Sequence, residues 1–233
     1  MDKIKPEIIK VLSGCKLFEG ISESSLEQLV HCLGAQFKTY DEENYIFHAE
    51  DQMDCFGIVI KGSVEVVKEN MAGDRNIIAF LGPGHLFGEG IVCTSRRRAP
   101  VSVKVREKTM VLMMPYERMI KICGNTCDFH TQLISNMLSI LGDKNYALNT
   151  KMELLLLKGM REKLAAYLLS ESKRSGSLSF NITPNRMALA EFLNVSRPSM
   201  CRELGRMKTE GLIDFYKHSF KLIDVEALKK ILR

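Results

Sequence analysis

The sequence predicts an α+β chain in two parts: an antiparallel β domain extended by a long helix, then a smaller, mostly helical domain. Three observations carry this reading. Short β-branched or alternating runs recur between about residues 37 and 114. A proline-free helical pattern then runs from about residue 126 to 157. Two short helices, a hairpin and a last helix close the chain. The expected division is 1–157 and 158–233.

The first segment reads helical, with Ser22 as a cap before Leu26, Leu29, Val30 and Leu33. Strands are expected at residues 45–47, 56–60, 64–67, 77–81, 101–105 and 110–114. Lys61-Gly62-Ser63 and Ala72-Gly73-Asp74 supply turns between them. Their spacing suits an antiparallel barrel or sandwich.

The long helix carries two stripes. Ile134, Leu138, Leu141, Asn145, Leu148, Met152 and Leu155 alternate by four and three residues, an a/d heptad seam of the kind that pairs two helices. Leu133, Met137 and Ile140 form a shorter stripe suited to packing on the β domain. Asn145 in the seam is a residue type that fixes register and two-strandedness. The plainer reading is a buried core helix with that Asn satisfied inside one chain.

A further helix over residues 158–172 ends at the basic, small-residue turn of 173–177. Residues 185–208 carry the sharpest signal. Met187, Leu189 and Leu193 give an apolar face, and Ala188 and Ala190 allow close helix approach. Asn194 suits a left-handed turn position, and Ser196 caps the next helix. Pro198 falls in its first turn, where a missing N–H does no harm. Met200, Leu204 and Met207 make its buried face, leaving Arg197, Ser199, Arg202 and Arg206 outward. Arginines at such a helix start reach phosphates or the O6/N7 edge of guanine. This is a helix-turn-helix, and the hairpin over residues 212–223 makes it winged. A helical hairpin for protein contact is the competing reading. Asp224 then caps the last helix.

Charge agrees with an acidic partner at one end. Residues 151–233 hold 16 Lys and Arg against 9 Asp and Glu, whereas residues 1–150 hold 17 against 19. The seven cysteines, Cys15, Cys32, Cys55, Cys93, Cys123, Cys127 and Cys201, are scattered and read as reduced thiols. Cys123 and Cys127 share a helix spacing without further ligands nearby, so no metal site is expected. The histidines are scattered, and no nucleophile–base arrangement or P-loop is present, which argues against an enzyme. No apolar run approaches a membrane span, and the N-terminus lacks a signal-peptide core, so a cytoplasmic protein is expected.

With Gly82-Pro83-Gly84-His85-Leu86-Phe87-Gly88-Glu89, the long helix and Arg197 to Arg202 in place, nearly the whole chain resembles the Crp/Fnr (catabolite activator/fumarate-nitrate reductase regulator) family. That resemblance implies a β-roll of the cyclic-nucleotide-binding type and a homodimer. A small signal in the roll is relayed along the long helices to double-stranded DNA. RNA polymerase is an implied partner if the chain activates. The DNA-contacting set becomes Arg186, Ser196, Arg197, Ser199, Arg202 and Arg206.

The family's ligand positions fall on Gly88, Glu89, Arg97 or Arg98, Ala99, Leu148 and Asn149. A carboxylate there accepts from a ribose hydroxyl and a guanidinium pairs with a phosphate. Ala99 and Pro100 replace the small hydroxyl residue that follows the arginine in many members. Leu148-Asn149 replaces the hydroxyl pair that meets the base. A cyclic nucleotide is therefore not favoured. The expected effector is another small molecule, with Arg96-Arg97-Arg98 as an anion anchor or a solvated loop. Only Cys15 lies where an iron–sulfur type needs a cluster, and His85 lacks a partner ligand for haem. Pro198 stands where many members carry a Glu that accepts from cytosine. The alternative function is a cyclic-nucleotide-binding accessory module that regulates a partner protein.

Overall fold

The computed structural model describes residues 4–69, 75–121 and 128–232, in two compact units, Met1–Asp143 and Lys144–Arg233. The turn expected at residues 72–74, Cys123, Cys127 and residues 126 and 127 of the expected long helix lie outside the described residues.

The first unit opens with α1 (Pro6–Ser13) and α2 (Glu23–Cys32), joined through a short 3-10 turn. Ser22 stands at the N-cap of α2, but its hydroxyl bonds the Ser24 and Ser25 hydroxyls at 3.0 and 2.7 Å rather than a helix N–H. Strands follow: β1 (Gln36–Tyr40), β2 (Tyr45–Phe47), β3 (Cys55–Lys61), β4 (Val64–Glu69), β5 (Arg75–Leu81) and β6 (Leu86–Phe87). Helix α3 (Glu89–Val92), β7 (Ser102–Val105), β8 (Thr109–Pro115) and α4 (Tyr116–Ile120) complete the roll. All strand pairs are antiparallel, in two sheets ordered β1-β8-β3-β6 and β2-β7-β4-β5.

The six strands expected from sequence are present, and β1 and β6 are additions. Residues Gln36 to Thr39 show no alternation of burial, and β6 is two residues long, so neither carries a period-2 signal. Phe56, Ile58, Val59, Leu112 and Met114 fill the core with Leu12, Leu17 and Leu26 from the helices. A Cβ at Gly57 would lie 2.1 Å from the Phe87 ring, so this glycine is what lets β6 dock on β3.

Helix α5 (Asp128–Leu156) runs out of this unit. Leu133, Met137 and Ile140 are buried in the roll core, and the Asn136 amide donates to the Leu17 and Glu19 carbonyls at 2.9 and 2.8 Å. Ile134 and Leu141 are half-buried, and Leu138 is 65% exposed. The shorter stripe thus packs on the roll; of the heptad seam, Leu141 also touches the edge of that core, while Leu138 faces outward.

The second unit contains the rest of α5, then α6 (Met160–Ser175), β9 (Ser179–Asn181), α7 (Arg186–Leu193) and α8 (Arg197–Thr209). β10 (Ile213–Tyr216), β11 (Ser219–Leu222) and α9 (Val225–Lys230) follow. The expected hairpin forms and gains β9 as a third strand, with Phe180 opposite Phe220. Leu154, Leu164, Leu168, Leu189, Leu193, Met200, Leu204 and Met207 make one core. Arg161 of α6 ties α8 in place, meeting Glu203 at 2.5 Å and both Glu210 oxygens at 2.7 Å. On the seam, Asn145, Leu148 (66%), Met152 (55%) and Leu155 are exposed, and the Asn145 side-chain oxygen accepts from Asn149 at 3.4 Å.

Candidate nucleic-acid interface and effector site

Asn185 caps α7, its side-chain oxygen accepting from the Met187 and Ala188 amides at 2.9 Å each. Asn194 ends the helix at φ 51°, ψ 55°, the left-handed conformation that its residue type tolerates. Ser196 caps α8 by accepting from the Ser199 amide at 3.4 Å, and Pro198 lies in the first turn. Two side-chain caps and one left-handed joint fix the angle between the helices. Met200, Leu204 and Met207 anchor α8 inward. Arg197, Arg202 and Arg206 are exposed and Ser199 is half-buried. The Arg202 guanidinium donates to the Ser199 hydroxyl at 3.1 Å, Arg206 reaches Glu203 at 3.4 Å, and Arg197 has no ion pair among the described residues.

Arg186 stands apart from that set. Its guanidinium lies 5.0 and 4.6 Å from the Phe215 and Phe220 ring centroids and donates to the Lys217 carbonyl at 3.0 Å. Burial lowers its pKa from the ordinary arginine value, and Nη1 is buried without a hydrogen-bond partner among the described residues. It fastens α7 to the wing, with its guanidinium between two rings. Sequence spacing alone does not reveal this, because the rings lie some thirty residues further along the chain.

In the roll, Gly88 adopts φ 78° and turns the chain from β6 into α3, setting Glu89 at 3% exposure. Burial pushes the Cys15 thiol up from its ordinary value; a Leu17 backbone hydrogen bond opposes this, and the Glu89 carboxylate adds to it. Burial likewise raises Cys93. Thiols held protonated in this way are poor nucleophiles.

Residues 97–99 are laced to residues 50–53. Met53 donates its N–H to the Arg97 carbonyl and Glu50 to the Ala99 carbonyl, both at 2.7 Å. This register turns Ala99 fully inward and Arg98 outward, where it meets Glu50 at 3.4 Å. Arg97, at φ 48°, points its guanidinium to Glu117 at 2.7 Å and over the Tyr116 ring at 5.0 Å. Phe47 and Phe87 pack inside the roll with centroids 6.4 Å apart. A cleft of about 430 Å3 is lined by Ile46, Phe47, Asp51, Gln52, Met53 and Asp54, among others.

The cyclic nucleotide-binding domain family matches residues 37–126, and the Crp-like helix-turn-helix domain family matches residues 162–231. The chain belongs to the Crp/Fnr family of transcription regulators. Like it, the cyclic AMP receptor protein of Thermus thermophilus is 21% identical over 220 residues, covering 94% of this chain and 98% of its own. The anaerobic regulatory protein of Pasteurella multocida is 22% identical over 215 residues, covering 89% and 76%. The crystal structure of the Thermus thermophilus catabolite activator protein superposes with a TM-score of 0.54 at 22% identity, covering 93% of this chain and 98% of that one.

For this Crp/Fnr regulator, the helix-turn-helix match sets aside the accessory-module reading. The roll is a small-molecule effector domain of the cyclic-nucleotide-binding type. Gly88, Glu89 and Ala99 lie in its interior or at its edge, whereas Arg97 and Arg98 each engage a carboxylate of the chain itself. Leu148 and Asn149 belong to the second unit, both exposed. Among the described residues no group of three or more His, Cys, Asp or Glu is placed to hold a metal ion, and His85 is exposed with its Nδ1 at 3.1 Å from the Gly82 carbonyl. No helix among them is long and apolar enough to cross a membrane. Sequence reasoning missed Glu50 and Glu117, whose pairing with arginines depends on tertiary contact alone.

Proposed function

We propose that this Crp/Fnr regulator works in the cytoplasm as a homodimer, paired through Ile134, Leu138, Leu141, Asn145, Leu148, Met152 and Leu155, and reads DNA with α8. The supporting observation is α8, N-capped by Ser196, which carries Arg197, Arg202 and Arg206 exposed above a buried Met200, Leu204 and Met207 face. Arg197 and Arg202 meet base edges or phosphates, Ser196 and Ser199 meet phosphates, and Arg206 joins by exchanging Glu203 for a phosphate. Arg186 holds the wing and contributes through it. The functional division follows 1–157 for sensing and pairing and 158–233 for DNA. RNA polymerase is a partner if the protein activates, and no catalysis is assigned.

The effector is an unidentified small molecule, a cyclic nucleotide being the less favoured candidate, without metal or haem; it binds near Gly88, Glu89, Arg97, Arg98 and Ala99, and Leu148 and Asn149 are the effector-binding positions that the family resemblance implies on α5. Supporting this, both arginines are already occupied by Glu117 and Glu50, and Phe47 and Phe87 fill space inside the roll.

Native mass spectrometry with DNA titrations at stepped salt tests the regulator reading. The expected result is a dimer whose affinity for random duplex falls steeply as salt rises. A monomer indifferent to DNA at low salt contradicts it. A thermal-shift screen of nucleotides and small anions then addresses the effector.

A further inference from the structure

Positions 198, 201, 202 and 205 follow the i, i+3, i+4, i+7 spacing of a single helix face, opposite buried Met200, Leu204 and Met207. Pro198, Cys201 and Arg202 are exposed, and Gly205 is half-buried. Of these four positions only Arg202 carries a strong hydrogen-bonding group. Pro198 offers ring methylenes, Cys201 a weakly polar thiol, and Gly205 no side chain at all. A Cβ added at Gly205 meets nothing within 4 Å, so the protein's own packing does not require a glycine in mid-helix. Such a glycine costs a helix about 1 kcal/mol relative to alanine, and what it provides is close approach from outside.

The major-groove edges of the bases present one apolar feature, the thymine 5-methyl group. We propose that Pro198 and Cys201 are specificity-determining residues that read thymine methyls beside a guanine read by Arg202, with Gly205 letting the helix backbone lie close to the groove. This rests on the proposal above that α8 enters the DNA. Each half-site then contains a guanine flanked by at least one A·T pair whose methyl faces Pro198 or Cys201. Specificity at that pair comes from apolar contact, with no hydrogen bond to the base.

The test is selection of high-affinity duplexes from a random pool by the full-length dimer, followed by replacing each thymine of the selected half-site with uracil, which removes only the methyl. Loss of about fourfold in affinity for each contacted methyl is expected at pairs adjoining the guanine. Pro198→Gln should lose that methyl sensitivity and favour adenine at the same pair, because a glutamine amide bonds the adenine edge. Gly205→Ala should raise the melting temperature yet weaken specific binding. A selected site bound tightly and unchanged by every uracil substitution overturns this inference while leaving DNA reading by α8 intact. Failure to select any sequence, with weak binding at low salt, removes the regulator reading as well.

Discussion

The Arg97 guanidinium lies 2.7 Å from the Glu117 carboxylate, at the point where β8 gives way to α4. Glu117 holds the arginine above its ordinary pKa, first through that hydrogen bond. An anionic effector must therefore displace a carboxylate already in place. Glu117→Gln removes the competing charge and leaves Arg97 open to an anion. Inorganic phosphate should bind the variant roughly tenfold more tightly than the parent, read as a larger rise in melting temperature at equal concentration. Equal shifts in the two proteins would show that Arg97 does not receive the anion.

The heptad seam gives a second outcome. Leu148 and Met152 stand exposed one turn apart, with Leu138 exposed further up α5. Exposed apolar groups in such a row are covered when two copies pair. Replacing both Leu148 and Met152 with Glu puts like charges across that seam. Analytical ultracentrifugation should then show a monomer at concentrations where the parent is a dimer, with circular dichroism unchanged. Persistence of the dimer places the interface elsewhere.

The Arg161 pairing predicts how the second unit responds to acid. Hydrogen bonding to Arg161 holds the Glu210 carboxyl below its ordinary range. A depressed carboxyl contributes stability above its unfolded pKa and loses it as pH falls through the folded value. The contribution is therefore complete at neutral pH and disappears below the usual carboxylate range. Arg161→Ala should lower the melting temperature at pH 7 by roughly 5 °C, with the gap to the parent narrowing towards pH 3. A constant gap across that range would mean the ion pair adds nothing. Its partial exposure keeps the expected effect modest.

Local chemistry made much of this molecule readable in advance. The stripe Leu133, Met137, Ile140 and the seam beginning at Ile134 are separable by spacing, and only the former is buried. Asn194, Ser196 and Asp224 carry their structural roles in their side chains, and each occupies the expected position. What stayed hidden depends on contacts between distant segments. β1 lacks alternation, so its pairing with β8 is set by the rest of the sheet. Arg186 has the spacing of an outward helix residue, and aromatic rings of the wing draw its guanidinium inward. Arg97 and Arg98 read as one basic run, yet a left-handed residue sends them to different acids. Spacing places a side chain on an element; only the fold decides which charge it meets.

The most direct measurement is quantitative footprinting of the Arg202→Ala dimer on a duplex selected by the parent protein. Specific protection should fall by at least tenfold, the loss of one bidentate contact to guanine, while the dimer and its melting temperature stay as in the parent. An unchanged footprint from a folded Arg202→Ala dimer would contradict DNA reading by α8.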